Sequence, residues 1–103
     1  MQIRMAAGPG GPEPSVLDAL EFKSFSLSVD RGLDLEAIRS TGGPVRLESD
    51  DQAWVSSAWL LGQEPYASDA SAREGVEKMV DFARKRGWMD DERGEIAAHV
   101  ERG

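Results

Sequence analysis

Residues 71–87 read SAREGVEKMVDFARKRG, and this stretch decides the fold that the sequence predicts. Its apolar side chains recur at helical spacing, at Ala72, Val76, Met79, Val80 and Ala83. This spacing places them on one face of an amphipathic helix, with Phe82 beside the stripe. The pattern therefore predicts a helix whose apolar face must be covered by other elements.

Both ends of this helix carry recognisable signals. Ser71 and Glu74 have the spacing of a capping box, in which each side chain accepts a hydrogen bond from the other residue's backbone amide. The cations at 84–86 lie where the helix dipole favours positive charge, and Gly87 is typical of the residue after a helix. Gly75 lowers helix propensity by about 1 kcal/mol relative to alanine, which indicates close approach of a strand or a bulky tryptophan.

Shorter segments around the helix predict strands and one further helix. Residues 25–29 alternate apolar and small polar side chains, and residues 45–48 alternate again, as half-buried strands do. Residues 95–101 also alternate and predict a strand antiparallel to a neighbour, with a terminal helix as the competing interpretation. Residues 34–39 predict one or two helical turns capped by Asp34.

Residues 53–61 support two interpretations. As a helix, they would follow a capping box of Ser49 and Gln52 and would end at Gly62. As a strand, they would pair with 45–48 across a hairpin turn at residues 50–51. We favour the strand, because the helix at 71–87 needs a sheet to lie on.

The first fourteen residues predict a flexible tail. Residues 8–14 contain three prolines and three glycines in seven positions, which gives this stretch little reason to fold. Residues 15–103 are then a single α+β domain. We expect a small antiparallel sheet of three to four strands, covered by the one main amphipathic helix and preceded by a disordered N-terminal tail.

Composition narrows the possible functions. The 103 residues include 19 acids and 12 bases, for a net charge of −7, which opposes non-specific binding to nucleic acid or anionic membranes. The chain has no cysteine, which excludes disulfides and thiolate chemistry and favours a reducing, cytoplasmic setting. No segment approaches the roughly 20 apolar residues of a membrane span. The sequence therefore predicts no membrane partner, makes nucleic acid an unexpected one, and leaves the oligomeric state open.

Three tryptophans and an acidic turn form the predicted binding residues. A domain this small seldom hides three indoles completely, because each N–H needs a partner. An exposed tryptophan would suit the centre of a protein interface. The competing interpretation packs all three around the main helix. We predict binding by Trp54, Trp59, Trp88, Asp90, Asp91 and Glu92.

Signals for catalysis, metal or cofactor binding are few. His99 is the only histidine, and Glu95 and Glu101 on the same strand face could tune it as a general base, although a solvated surface histidine is commoner. In the acidic turn, a calcium loop with Gly94 in its sixth position would put apolar residues at both ends. We predict no metal and no cofactor, and we lean against an enzyme, with His99 as the one catalytic candidate.

The basic run at residues 84–86 stands beside Trp88. Cations next to an aromatic side chain can bind phosphates and stack bases. Here the helix dipole already accounts for the cations, and the net charge opposes such a role. Nucleic-acid binding is therefore not expected.

The sequence favours a small acidic protein-interaction or regulatory module, which binds another protein through an acidic face and an exposed aromatic side chain. One alternative is a small-molecule-binding protein or small enzyme with a tryptophan-walled pocket and His99. A second alternative is an acidic inhibitor that mimics nucleic acid. A pocket shared by a tryptophan and His99 would favour the first alternative, and a flat apolar patch rimmed by carboxylates would favour the interaction module.

Overall fold

The computed structural model describes residues 1–41 and 43–102. Seven strands and three helices occur in this part of the chain. In chain order they are β1 (Gln2–Gly8), β2 (Gly11–Leu17), β3 (Ser26–Val29), α1 (Leu35–Thr41), β4 (Val45–Leu47), β5 (Gln52–Ser56), α2 (Ser57–Leu61), α3 (Ala70–Lys85), β6 (Met89–Asp90) and β7 (Glu95–Arg102).

All seven strands belong to one mixed sheet that curls into a half-barrel. The strand order is β2-β1-β3-β7-β5-β4, and β6 pairs separately with β7. β3 runs parallel to both of its neighbours, whereas the other pairs are antiparallel. The predicted antiparallel sheet of three to four strands under one main helix is therefore wrong. α3 covers only the part of the sheet next to β6 and β7.

The predicted disordered tail is also wrong, because residues 2–17 form the hairpin of β1 and β2. Ile3 is completely buried and alternates with exposed Arg4, so β1 has the period of a strand with one buried face. Gly11 closes the hairpin with a φ of +118°, a conformation that L residues rarely adopt. Pro12 and Pro14 are tolerated because β2 is an edge strand, which can lack backbone donors.

The hydrophobic core lies against one face of the sheet. Residues of β1, β3, β4, β5 and β7 point into it, including Ile3, Leu27, Val29, Val45, Ala53, Val55, Ile96, Ala98 and Val100. The opposite face is open and mostly polar, with Ser26, Ser28, Gln52, His99 and Glu101 on it. The strict alternation predicted for residues 25–29 and 95–101 is confirmed in β3 and β7.

α1 lies between the two edge strands of the curled sheet, since it contacts both β2 and β4. Its apolar side is buried at Leu35 and Ile38. The predicted cap is confirmed, because Asp34 Oδ1 accepts a hydrogen bond of 2.9 Å from the Glu36 amide. This helix occupies the place where further strands would be needed to close a barrel.

The ambiguous segment 53–61 divides between the two predicted structures. β5 pairs with β4 across the predicted turn at 50–51, and the chain becomes helical from Ser57. Ser56 caps α2 by accepting a hydrogen bond of 3.2 Å from the Trp59 amide. The Ser49 hydroxyl instead accepts from the Gln52 amide at 3.1 Å, so the predicted capping-box serine shapes the hairpin turn.

The long helix predicted from residues 71–87 is confirmed as α3, and its stripe is buried at Ala72, Val76, Met79 and Ala83. Its predicted capping box is wrong. Asp69 is the N-cap, with Oδ1 accepting from the Ser71 amide at 2.9 Å and the Ala72 amide at 3.2 Å. Gly87 has the left-handed conformation predicted for the residue after the helix, with a φ of +77°.

The loop from residue 18 to residue 25 crosses one side of α3 and is tied down at both ends. The buried Tyr66 hydroxyl donates a hydrogen bond of 2.6 Å to the Ala19 carbonyl, and burial raises the pKa of Tyr66 to about 12. Glu21 accepts hydrogen bonds from the Ser24 hydroxyl at 2.8 Å and from the Met1 ammonium at 3.0 Å. These contacts hold the aromatic residues of the loop beside the helix.

Candidate functional site

An aromatic groove runs between α3 and the loop at residues 18–25. Three adjoining cavities form it, with volumes of about 430, 280 and 220 Å³. The largest lies along the helix, and the smallest opens on the polar face of the sheet. The 430 Å³ cavity is lined by Phe22, Lys23, Gly75, Lys78, Met79 and Phe82.

Gly75 makes room for the ring of Phe22. A Cβ atom at this position would lie 2.4 Å from two atoms of the ring, so only glycine lets the ring rest against the helix backbone. The close approach predicted from Gly75 is confirmed, with a phenylalanine in place of a strand or tryptophan. Phe22 lines both the 430 Å³ and the 280 Å³ cavities, which we call the helix-side cavities, and it forms the ridge between them.

The middle of the groove has an aromatic wall that is only half covered. Phe82 and Trp88 are 51% and 49% exposed, and their rings meet edge to face with centroids 6.1 Å apart. The Arg86 guanidinium lies over both rings, 5.1 Å from the Phe82 centroid and 5.9 Å from the Trp88 centroid. Cation–π contact of this kind orients the two rings, and about half of each side chain remains exposed.

The 220 Å³ recess lies at a gap in the pairing of β7. β6 pairs with residues 95–96 of that strand, and β3 pairs with it only from His99 onward. The Ala97 amide, inside the gap, donates a hydrogen bond of 2.8 Å to the Trp88 carbonyl. This bond places the tryptophan at the recess, which is lined by Phe25, Gln52, Trp88, Ala97 and His99.

The rim of the groove is cationic, although the chain as a whole is acidic. Lys23 and Lys78 line the groove, and Arg86 covers its aromatic wall. Lys78 has an ion pair of 3.2 Å with Glu74, but both side chains are largely exposed, so the pair contributes little. Within residues 1–41 and 43–102, neither Lys23 nor Arg86 forms an ion pair. Both cations are therefore available to an anionic ligand.

The structure separates the three predicted tryptophans. Trp88 forms the groove wall, whereas Trp59 is half-buried in α2 against the core. Trp54 lies on the open face of the sheet, with the Arg46 guanidinium 5.8 Å from its ring centroid and its Nε1 3.4 Å from Glu48. Only one of the three therefore belongs to the groove.

The predicted acidic residues are engaged locally. Asp90 accepts hydrogen bonds from the Glu92 and Arg93 amides at 3.1 and 3.2 Å, which shapes the turn between β6 and β7. Asp91 accepts a hydrogen bond of 2.9 Å from Arg84, and this contact raises the pKa of the guanidinium. Glu92 is exposed, and none of the three carboxylates lines the groove.

His99 lies on the open face, exposed, at one wall of the recess. Its register neighbours are Ser26 and Gln52. No hydrogen bond to the imidazole occurs among the described residues, so the structure assembles no nucleophile or orienting carboxylate around it. The same residues contain no group of three or more histidine or acidic side chains placed to hold a metal ion.

Sequence reasoning did not predict Phe22, Phe25 or Lys23, which line most of the groove. Phe22 and Lys23 lie in a loop, where neither helical nor strand periodicity marks them. Phe25 lies in the same loop just before β3, and the alternation of residues 25–29 marked it only as a strand residue. Their one indirect signal is Gly75, a glycine that interrupts an otherwise strong helix and indicates that something large lies against it.

Comparisons with protein-family models, curated proteins and solved structures gave no match. Among the residues described here, no helix combines the length and apolar character that crossing a membrane requires. The geometry of the groove is therefore the basis for assigning a function.

Proposed function

We propose that this protein is a small interaction module whose aromatic groove binds a short segment of a partner protein carrying both apolar and acidic side chains. The observation that supports this proposal is the half-exposed wall of Phe82 and Trp88 beside the unpaired cations Lys23 and Arg86. Exposed aromatic side chains flanked by charge are typical of interface hot spots.

The shape of the groove favours a peptide segment over a compact ligand. Pockets for small molecules bury some 70–90% of their ligand's surface. This groove is open along its length, and its cavities follow one another, so successive side chains of a segment can fill them. Covering the exposed half of Phe82 or Trp88 removes roughly 75–125 Å² of apolar surface, worth about 2–3 kcal/mol each.

Charge favours an acidic segment. The cations at the rim attract an acidic segment at short range, although the net charge of −7 repels anions at a distance. The absence of cysteine supports a cytoplasmic setting for such a module.

The first experiment selects dodecamer peptides from a random phage library on the immobilised protein and measures their affinity by fluorescence anisotropy. We expect the selected peptides to be rich in acidic and apolar residues. The double variant Lys23→Glu/Lys78→Glu should weaken their binding about tenfold, because each reversal turns attraction into repulsion. Arg31→Glu/Lys85→Glu, at two exposed bases outside the groove, reverses the same number of charges and is the matched control. Equal affinities for both variants would contradict the proposal.

A second experiment measures the contribution of the aromatic wall to the same peptides. Trp88→Ala should weaken binding about 30- to 150-fold, the equivalent of the 2–3 kcal/mol given by its exposed area. Leu20→Ala is the control, since Leu20 is 67% exposed but does not line the groove. The proposal fails if the two substitutions have the same effect.

Binding of a small molecule is a second candidate function, supported by one observation. Trp88 and His99 line the same 220 Å³ recess. A fragment screen by NMR tests this function. Fragments that shift the Trp88 indole and His99 signals, and that still bind the Lys23→Glu/Lys78→Glu variant, would favour it; a screen without such fragments would exclude it.

A further inference from the structure

We propose that the 220 Å³ recess receives a tyrosine side chain of the bound segment. This inference rests on the proposed function and names the residue that anchors the segment. The recess lies at the end of the groove, between the first residue of β3 and β6, and it opens on the polar face of the sheet. Its lining combines an apolar body with a polar end.

The apolar body suits an aromatic ring. Phe25 and Trp88 supply two aromatic walls, and rings in such a site gain from offset or edge-to-face contacts. Ala97 is partly buried at the recess and contributes only a methyl group to its lining. The small residue leaves the space that a ligand ring would fill.

The polar end suits a hydroxyl group. Gln52 Nε2 donates a hydrogen bond of 3.0 Å to the Ala53 carbonyl, which leaves the Gln52 Oε1 atom as an acceptor. The His99 imidazole has no hydrogen-bond partner among the described residues. A phenol can donate to either group, and tyrosine is the side chain that combines an aromatic body with such a tip.

The rest of the groove sets the order of residues in the segment. Lys23 lines both helix-side cavities but not the recess, and Lys78 lies further along α3. With a tyrosine in the recess, apolar residues would cross the ridge at Phe22, and acidic residues would lie towards the lysines. The segment therefore has its aromatic anchor at one end, and its acidic residues lie towards the other end.

The test uses two peptides that differ by one oxygen atom. They are acetyl-Tyr-Glu-Leu-Glu-Glu-Lys-amide and its phenylalanine counterpart, each with fluorescein on the lysine side chain, and affinity is measured by fluorescence anisotropy. One net hydrogen bond predicts that the tyrosine peptide binds about 3- to 10-fold more tightly.

Filling the recess provides the second measurement. Ala97→Leu should weaken binding of the tyrosine peptide about tenfold or more, because the leucine occupies the space of the ring. The matched control is Ala6→Leu, a half-buried alanine on the open face of β1 outside the groove. If Ala97→Leu does not fold, Gln52→Ala/His99→Ala replaces it, and this variant should bring the two peptide affinities together without changing that of the phenylalanine peptide.

Equal binding of the two peptides to the unmodified protein overturns the inference, and so does the absence of binding by both. Neither result removes the proposed function, because the dodecamers selected from the library and their dependence on Lys23 and Lys78 test it separately. A tyrosine preference that Ala97→Leu abolishes and Ala6→Leu retains supports the inference.

Discussion

Replacing Gly75 with alanine sets two opposing effects against each other. In an ordinary helix position the change stabilises the fold by about 1 kcal/mol, because alanine has the higher helix propensity. Here the new Cβ would lie 2.4 Å from Cε2 and Cζ of Phe22, more than 1 Å inside the usual carbon contact of about 3.5–4.0 Å. The ring must move, and overpacking of this kind costs about 1–3 kcal/mol. We expect a net destabilisation of about 0–2 kcal/mol.

A double-mutant cycle with Phe22→Ala separates the two effects. Without the ring, Gly75→Ala should stabilise the protein by about 1 kcal/mol, so the two positions should be coupled by about 1–3 kcal/mol. Urea unfolding of the four proteins, followed by circular dichroism, gives the four free energies, provided that their m-values agree. If Gly75→Ala stabilises both backgrounds by the same amount, the Phe22 ring does not rest on the helix and the ridge in the groove is wrongly placed.

Two further predictions concern elements that hold the groove in place. The Ser24 hydroxyl, the terminal ammonium and the Lys23 amide lower the pKa of Glu21 to about 2, so this carboxylate stabilises the fold fully above pH 4.5 and progressively less down to pH 2. The difference in melting temperature between the wild type and Glu21→Gln should therefore shrink between pH 5 and pH 2, and a constant difference over that range would contradict the contact. Asp69→Ala should destabilise the fold by about 1 kcal/mol in urea unfolding, whereas Ser71→Ala should have almost no effect; the reverse order would restore Ser71 as the cap.

Local periodicity predicted the helices and strands that bury one face in the core. α3, β3 and β7 followed from the spacing of their apolar residues, because each has one face in the core. Periodicity did not predict the hairpin of β1 and β2, because the glycines and prolines of residues 8–14 are typical of a flexible tail. The alternation of Met1, Ile3 and Met5 with polar or small residues was the signal that could have found it.

The residues that line the groove were less predictable than the fold. Trp88 is one of the predicted binding residues that the structure places in the groove, because an exposed indole is conspicuous in a small chain. Phe22 and Phe25 form the facing wall through a loop whose path depends on long-range contacts, such as the hydrogen bond from Tyr66 to Ala19. The sequence marked Arg86 only within the basic run at 84–86, where the helix dipole accounted for it. Lys23 was not marked, because the net charge of the chain is negative and the structure is needed to show which bases form ion pairs.

The place of β7 in the sheet has a consequence for how the protein folds. β7 follows the other six described strands along the chain, yet it joins β3 and β5 and carries β6 on the same edge as β3. The parallel pairing of β3 with β7 closes a loop of about seventy residues, and such distant contacts are slow to form. Until β7 docks, the hairpin of β1 and β2 and the hairpin of β4 and β5 remain separate ribbons with unpaired edges. Self-association should therefore compete with folding before this docking step, and much less once the native state has formed.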